Sequence, residues 1–123
     1  SLYYLGVLAR QVHQQYPGLE LVSARAWLLG NYNGGQVVQV EADVEDEGTG
    51  DVTVTGAGIV APNGNSYYSV FKPVTLSPGE IVQISFNVTV TGGGLSPGDS
   101  VFVFVEGDYS QQVGEAVALL APP

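Results

Sequence analysis

The chain has 123 residues, of which 45% are hydrophobic and only 12% are charged, and its formal net charge at neutral pH is −9. Three basic residues against twelve acidic ones argue against nucleic-acid binding, because phosphate neutralisation needs clustered lysine and arginine. The same charge disfavours adsorption to anionic lipid headgroups. With no cysteine, the chain lacks disulfides, thiolate metal sites and cysteine nucleophiles.

Residues 1–18 are predicted to form a short helix, because apolar side chains recur there at spacings of three and four until Pro17-Gly18. A helix of this length is marginal in water by itself. We therefore expect its apolar side chains to pack on another surface, or the segment to be the end of a longer helix that was processed or removed, since the chain opens at Ser1 rather than Met. The interface residues predicted here are Leu2, Leu5, Val12 and Tyr16.

From residue 19 onward the hydrophobic period is two, which is typical of β-strands. Strands are predicted over residues 19–29, 36–44, 51–60, 67–71, 80–90, 100–106 and 112–120. Gly56 and Gly58 indicate a bulge or a close backbone approach within the third strand. Seven strands separated by Gly, Pro and Asn turns predict one all-β domain over residues 19–123, an antiparallel immunoglobulin-like β-sandwich.

The strand over residues 100–106 departs from simple alternation, because residues 101–105 are apolar on both faces. Such a strand is expected to be buried twice. We expect the face of Phe102 and Phe104 to be covered by the N-terminal helix, a loop or another subunit. Tyr67 and Tyr68, on a predicted edge strand, are further interface candidates, since large amphipathic rings suit contacts between subunits.

Catalytic and cofactor chemistry find little support in the sequence. His13 is the only histidine, and it has no patterned carboxylate beside it. A nucleophile, a base and an orienting group cannot be assembled from one histidine and no cysteine. We therefore predict a protein that is not an enzyme and that needs no cofactor.

The acidic run after the second strand is a weak metal candidate. Calcium favours several carboxylate oxygens on a flexible loop, but the spacing does not match the Asp-x-Asp-x-Asp-Gly calcium loop. The alternative is a solvated turn that keeps sheet edges apart. No metal site is predicted, and the residues that would form one are Asp43, Glu45, Asp46, Glu47 and Asp51.

Two further surface features point to extracellular roles. Asn87-Val88-Thr89 is an N-glycosylation sequon, and the alternation places Asn87 and Thr89 on the solvent face of their strand. Trp27, Tyr67, Tyr68 and Tyr109 are the aromatic residues from which a sugar-binding platform would be built. A tryptophan within an alternating strand is more typical of a core.

Several stretches, in this order along the chain, are similar to one known family. They are the run 21–26, the acidic turn 47–50, the turn 76–80 and the Gly98-Asp99 entry to the strand 101–105. Together they resemble the globular domain of archaeal type IV-like pilins and archaeal flagellins. The resemblance implies an N-terminal helix leading into a charge-poor β-sandwich. It also implies a non-enzymatic, glycosylated subunit of an extracellular filament at the cell surface, with roles in adhesion.

The resemblance has one departure. Pilins carry a wholly apolar helix of about twenty residues, long enough to sit in a membrane, and this sequence does not contain it. Membrane contact is expected only through such a missing helix, and the expected partners are other copies of the chain or a surface-layer protein. Two alternatives stay open: a pilin-like accessory or stator domain that binds a surface-layer protein, and a carbohydrate-binding module.

Overall fold

The computed structural model describes residues 18–92 and 94–123, and within these residues the chain forms eight β-strands and no helix. None of the described residues forms a helix long and apolar enough to cross a membrane. The predicted N-terminal helix lies outside the described residues except for Gly18. The strands are β1 (Leu19–Tyr32), β2 (Gly35–Asp46), β3 (Val52–Val60), β4 (Ser66–Ser69), β5 (Val74–Leu76), β6 (Ile81–Thr91), β7 (Ser100–Gly107) and β8 (Gln112–Leu120).

The all-β prediction is confirmed, and each of the seven predicted strands is present. β1 runs three residues further than predicted, because Asn33 and Gly34 form a two-residue turn between the paired residues Tyr32 and Gly35. Both turn residues have positive φ, 50° and 78°, which is the backbone of a tight hairpin that continues the strand twist. β5 was not predicted, because three residues are too few to show a period.

The strand order differs from a sandwich of two separate antiparallel sheets. The strands form one series, β4-β3-β7-β8-β1-β2-β6, with β5 also paired to β3. β8 pairs with β7 antiparallel but with β1 parallel, at Ala26 with Leu119 and Trp27 with Leu120. This parallel pair joins what were expected to be two sheets. The immunoglobulin-like sandwich is therefore corrected to a single sheet that curls until it is nearly closed.

The two ends of this sheet meet through side chains. The hydroxyl of Tyr67, on β4, donates a hydrogen bond of 2.9 Å to the carbonyl oxygen of Thr91, on β6. The ring of Phe71 stacks on that of Phe86, with centroids 6.4 Å apart. No backbone hydrogen bond connects β6 to β4 or to residues 70–73 in the described part of the chain. β6 therefore keeps a free backbone edge.

The core is the inner face of the curled sheet. Strict alternation buries one side of β2 and β6, where Val38, Val40, Val88 and Val90 are at most 4% exposed. Burial of this apolar surface is the main force that stabilises the fold. At one end of the sheet, Gln36 donates to and accepts from the backbone of Leu95, which fixes the loop after β6.

Candidate functional site: an aromatic face on the sheet

β7 places aromatic side chains on the outside of the sheet. Its inward residues Val101, Val103 and Val105 are at most 1% exposed, as the alternation predicts. The outward residues Phe102 and Phe104 differ from each other, because Phe104 is 2% exposed and Phe102 is 42% exposed. The outer side of β7 is therefore covered in one place and open in the next.

Phe104 is covered by its own sheet. Gly58 pairs with both Tyr68 and Phe104, so the two rings lie on either side of a residue without a side chain. They meet edge to face with centroids 5.0 Å apart, a favourable geometry for aromatic pairs. A Cβ atom on Gly58 would lie 2.8 Å from Cζ of Phe104 and would collide with the carbonyl oxygen of Tyr67. Within the described residues, Tyr68 therefore covers Phe104.

Phe102 leans the other way, across β8. A Cβ atom on Gly114 would lie 2.5 Å from Cε2 and 2.6 Å from Cζ of Phe102, so the ring rests on the glycine backbone. Ala116, which pairs with Phe102, and Ala118 are exposed beside it, and Leu120 at the end of β8 is 44% exposed. We call Tyr68, Phe102 and Phe104, with Gly58 and Gly114 beneath them, the aromatic face.

A carboxylate borders the aromatic face. Glu106 follows Phe104 on the same side of β7, and its Oε1 atom is buried without a hydrogen-bond partner among the described residues. Hydrogen bonding and charge from Glu106 raise the pKa of Tyr68 above its ordinary value. The hydroxyl of Tyr68 thus stays neutral over the physiological range, and the ring keeps an apolar body with a polar rim.

Tyr67 does not share this face, although it was predicted as an interface residue with Tyr68. It pairs with buried Ile59 and packs against the core, on the opposite side of β4 from Tyr68. The pKa of Tyr67 is lowered, most strongly by a hydrogen bond with Asn63. Burial opposes this effect, and weaker hydrogen bonds with Asn65 and Thr91 add to it. Its role is to close the sheet. The other predicted interface residues, Leu2, Leu5, Val12 and Tyr16, lie outside the described residues.

The acidic residues that were weak metal candidates divide between the two sides of the sheet. Asp46 is fully buried, and its Oδ1 atom accepts the N–H groups of Gly48 at 2.9 Å and Gly18 at 3.4 Å. Asp43 faces outward and accepts the hydroxyl of Ser23 at 2.9 Å. No group of three or more His, Cys, Asp or Glu side chains in the described part of the chain is placed to hold a metal ion. Asp46 therefore holds the turn in place. Its position at the end of β2, on the buried side of the alternation, is visible in the sequence.

The remaining aromatic candidates are dispersed. Trp27 is half-buried on β1, with the Arg25 guanidinium 5.8 Å from its ring centroid. Tyr109 is exposed in the turn between β7 and β8, where its φ is 58°. Neither ring pairs with another aromatic ring within the described residues. Asn87 is exposed at the middle of β6, where its sequon was predicted to reach solvent.

One hollow on the described surface lies at the end of the sheet that contains the β1–β2 turn. Its volume is about 440 Å³, and it is lined by Asn31, Gly34, Gly35, Gln36, Val90 and Gly94. None of these side chains is titratable or nucleophilic. The hollow therefore provides neither a general base nor a nucleophile from its own walls.

No protein-family model matches the chain, and neither does any curated protein. Solved structures match its fold. An apo PCuAC domain from PmoF1 has a TM-score of 0.61 at 15% identity, covering 89% of this chain and 100% of that one. The copper-bound PCuAC domain from PmoF2 has a TM-score of 0.54 at 15% identity, covering 89% and 99%.

A third structure is the archaellum periplasmic stator protein FlaG from Sulfolobus acidocaldarius, with a TM-score of 0.50 at 14% identity, covering 83% of this chain and 100% of that one. At these identities the likeness is one of fold, and fold does not fix function.

Proposed function

We propose that this chain is a non-enzymatic accessory domain of an extracellular surface filament, which anchors by binding a partner protein through the aromatic face. The observation that carries the proposal is the exposure of Tyr68 and Phe102, 62% and 42%, on a sheet surface supported by glycines. Large aromatic rings in a supported, outward position are typical of the centres of protein interfaces.

The surroundings of the aromatic face suit a protein partner. The outward residues of β8 beside Phe102 are Gly114, Ala116 and Ala118, which leave the ring accessible from that side. Covering the exposed part of Phe102 contributes about 1 kcal/mol, by comparison with about 1.5 to 3 for burying a whole large apolar side chain. The rings thus supply binding energy at a small loss of side-chain conformational entropy, since each has few rotatable bonds.

An anchoring role is favoured over a filament subunit by the fold shared with the FlaG stator protein. The second candidate is a pilin-like filament subunit, supported by the sequence pattern of strands and turns. Both candidate functions place the domain outside the cell. A sequence poor in charged residues and a sequon on an exposed strand are compatible with that location. A carbohydrate-binding module is not supported by the dispersed positions of Trp27, Tyr68 and Tyr109.

The PCuAC domains raise the question of copper. Copper sites in proteins favour thiolate, thioether and imidazole ligands, and the sequence contains no Cys, no Met and a single His. The described residues also bring no metal-binding group together. The donors present do not fit a copper site, so the likeness to PCuAC domains is not extended to their metal.

The test replaces Phe102 by serine in the full-length protein of the native host. Val22→Ser is the matched control, because Val22 is 52% exposed on β1 and lies outside the aromatic face. We expect Phe102→Ser to detach the domain from its partner assembly and to impair filament function. Val22→Ser should leave both unchanged, and circular dichroism of the purified variants confirms that both fold.

Electron microscopy with a domain-specific label separates the two candidates. Label at the base of filaments supports the anchor, whereas label along the shaft, with filaments lost on deletion, supports the subunit. If Phe102→Ser folds and both filaments and localisation stay normal, the aromatic face is not the contact and the proposal fails.

A further inference from the structure

Besides the aromatic face, the free backbone edge of β6 is a candidate binding surface. β6 is an end strand of the sheet and pairs with β2 through eleven consecutive residue pairs without a register shift. The edge strands β4 and β5 have only four and three residues. A long, regular strand with one unpaired edge is a template for another strand, whereas short edges are not.

The sequence of β6 lacks the devices that usually block edge pairing. Residues 81–91 contain no charged residue, no proline and no glycine in a chain whose net charge is −9. Natural sheets protect such edges with lysine, proline or a bulge. β6 has none of these within its own sequence, and no backbone hydrogen bond of the described residues occupies this edge.

The usable stretch is the first part of β6. At the far end, the bond from Tyr67 to Thr91 brings β4 against the strand. Residues 81–87 have no backbone hydrogen bond on this side within the described residues, and the 70–73 segment reaches them through the ring of Phe71, which stacks on Phe86 at the core face. At their start Ile81 is 57% exposed. The middle residue of this stretch is Ile84.

We propose that residues 81–87 of β6 pair antiparallel with the same residues of a second copy of this chain, about a two-fold axis at Ile84. In this register Gln83 of one copy lies opposite Ser85 of the other on the solvent face, and Val82 lies opposite Phe86 on the core face. Polar residues meet polar ones and apolar residues meet apolar ones, because the spacing keeps the side-chain period of two.

Charge favours this edge over other surfaces for self-pairing. The acidic residues Glu41, Asp43 and Glu45 lie on β2, one strand away from the edge. Two joined β6 strands would hold the two β2 strands three spacings apart, about 14 Å at about 4.8 Å per strand. This exceeds the Debye length of about 8 Å at physiological ionic strength, so the like charges are largely screened.

The experiment is sedimentation of the full chain, made in a bacterial host so that Asn87 carries no glycan. The wild type should dimerise reversibly with concentration. Gln83→Lys with Ser85→Lys places lysine opposite lysine in the proposed register and should weaken the dimer at least ten-fold, because like charges directly opposite are destabilising.

Gln83→Lys with Ser85→Glu is the matched control, since it alters the same two positions but places lysine opposite glutamate. It should retain the dimer. Thermal unfolding of all variants shows that the monomer is intact. A wild type that stays monomeric up to about millimolar concentration, well above the dissociation constants of ordinary interfaces, overturns the proposal. So does loss of the dimer in both double variants.

Phe102→Ser tests the aromatic face in the same assay. If it abolishes self-association while the double-lysine variant does not, the copies meet through the aromatic face and the β6 pairing is wrong. The anchoring function is tested separately in the host, so either proposal can fail alone.

Discussion

The outer surfaces of the two halves of the sheet are opposites. On β1, β2 and β6 many outward side chains are charged or polar, with Arg25 paired to Glu41 at 3.0 Å and Gln83 beside the same carboxylate at 3.3 Å. On β4, β3, β7 and β8 the outward surface includes the aromatic face. Both halves share one interior of valine, isoleucine and leucine.

The difference shows that a sheet can carry two unrelated surfaces on one core. The polar half is stable in water by ordinary alternation, in which exposed ion pairs contribute little. The aromatic half must shelter large rings outside the core, and it does so by pairing them with glycines. We therefore expect added side-chain volume in the aromatic half to lower the stability of the fold. In the polar half we expect the largest loss of stability from removing the buried carboxyl group of Asp46.

The largest expected effect separates the two phenylalanines of the aromatic face. Phe104→Ala should lower the free energy of unfolding by about 3 to 4 kcal/mol, because it empties a fully packed position beneath Tyr68. Phe102→Ala should cost about 1 kcal/mol, since its ring is already partly in solvent. Urea unfolding measures both, and equal losses would contradict the assignment of Phe104 as support and Phe102 as contact.

The next effect tests the glycines. Gly58→Ala should destabilise the protein by about 2 to 3 kcal/mol, because the new Cβ meets the Tyr67 backbone and the Phe104 ring, and overpacking forces rearrangement. Gly56→Ala, two residues away on the same strand, is the control, since its nearest neighbours lie 3.9 Å away. Guanidinium unfolding should find Gly56→Ala close to wild type. A neutral Gly58→Ala would show that the aromatic face has room to adjust.

A smaller effect concerns the polar half. Asp46→Ala removes the acceptor for the N–H groups of Gly18 and Gly48, and should cost about 2 kcal/mol in the free energy of unfolding. Asp43→Ala removes one exposed hydrogen bond to Ser23 and should cost less than about 1 kcal/mol. Denaturant titration of the pair compares a buried acceptor with an exposed one. Similar losses would mean that Asp46 does not anchor its turn.

The smallest effect is on ionisation at the edge of the aromatic face. Because Glu106 raises the pKa of Tyr68, the folded protein holds this proton more tightly than the unfolded chain. The resulting stability is present below the ordinary pKa of 10.0 and is lost as the pH rises through the raised pKa. Glu106→Gln should lower the pKa of Tyr68 in a carbon-13 NMR titration.

Tyr67 is the internal control for that titration. Its pKa lies below the ordinary value because of the hydrogen bond from Asn63, so it should ionise before Tyr68 and be unaffected by Glu106→Gln. The opposite order of ionisation would contradict the roles assigned to Asn63 and Glu106.

Local features of the fold could be predicted from the sequence, and non-local ones could not. The alternation of residues 80–90 predicted β6 and its solvent face correctly. Gly56 and Gly58 indicated a bulge or a close backbone approach, and the structure has a register shift before Gly56 and a close approach of the Tyr67 backbone at Gly58. The parallel pairing of β1 with β8 leaves no local pattern, because the same alternation fits a sandwich and a curled sheet.

The site was predicted only in part for the same reason. Phe102 and Phe104 were recognised as apolar on the outer side of their strand, but the cover over Phe104 depends on which residues lie across from it. Gly114 within a predicted strand was the available signal, since a glycine there often marks the approach of another group. Only the strand register connects Gly58 and Gly114 to the two rings.

The parallel pair of β1 and β8 also sets an order of events for folding. The amide of Leu19 donates to the side chain of Gln111 at 2.7 Å across 92 positions of sequence, and β8 fits between β7 and β1. Contacts between such distant segments form slowly, because the chain must lose the entropy of a long loop before they stabilise it. During synthesis, β1 has no second neighbour until β8 emerges, and the Phe102 ring has no glycine to rest on. Until β8 is made, the nascent chain therefore exposes one edge of β1 and the ring of Phe102.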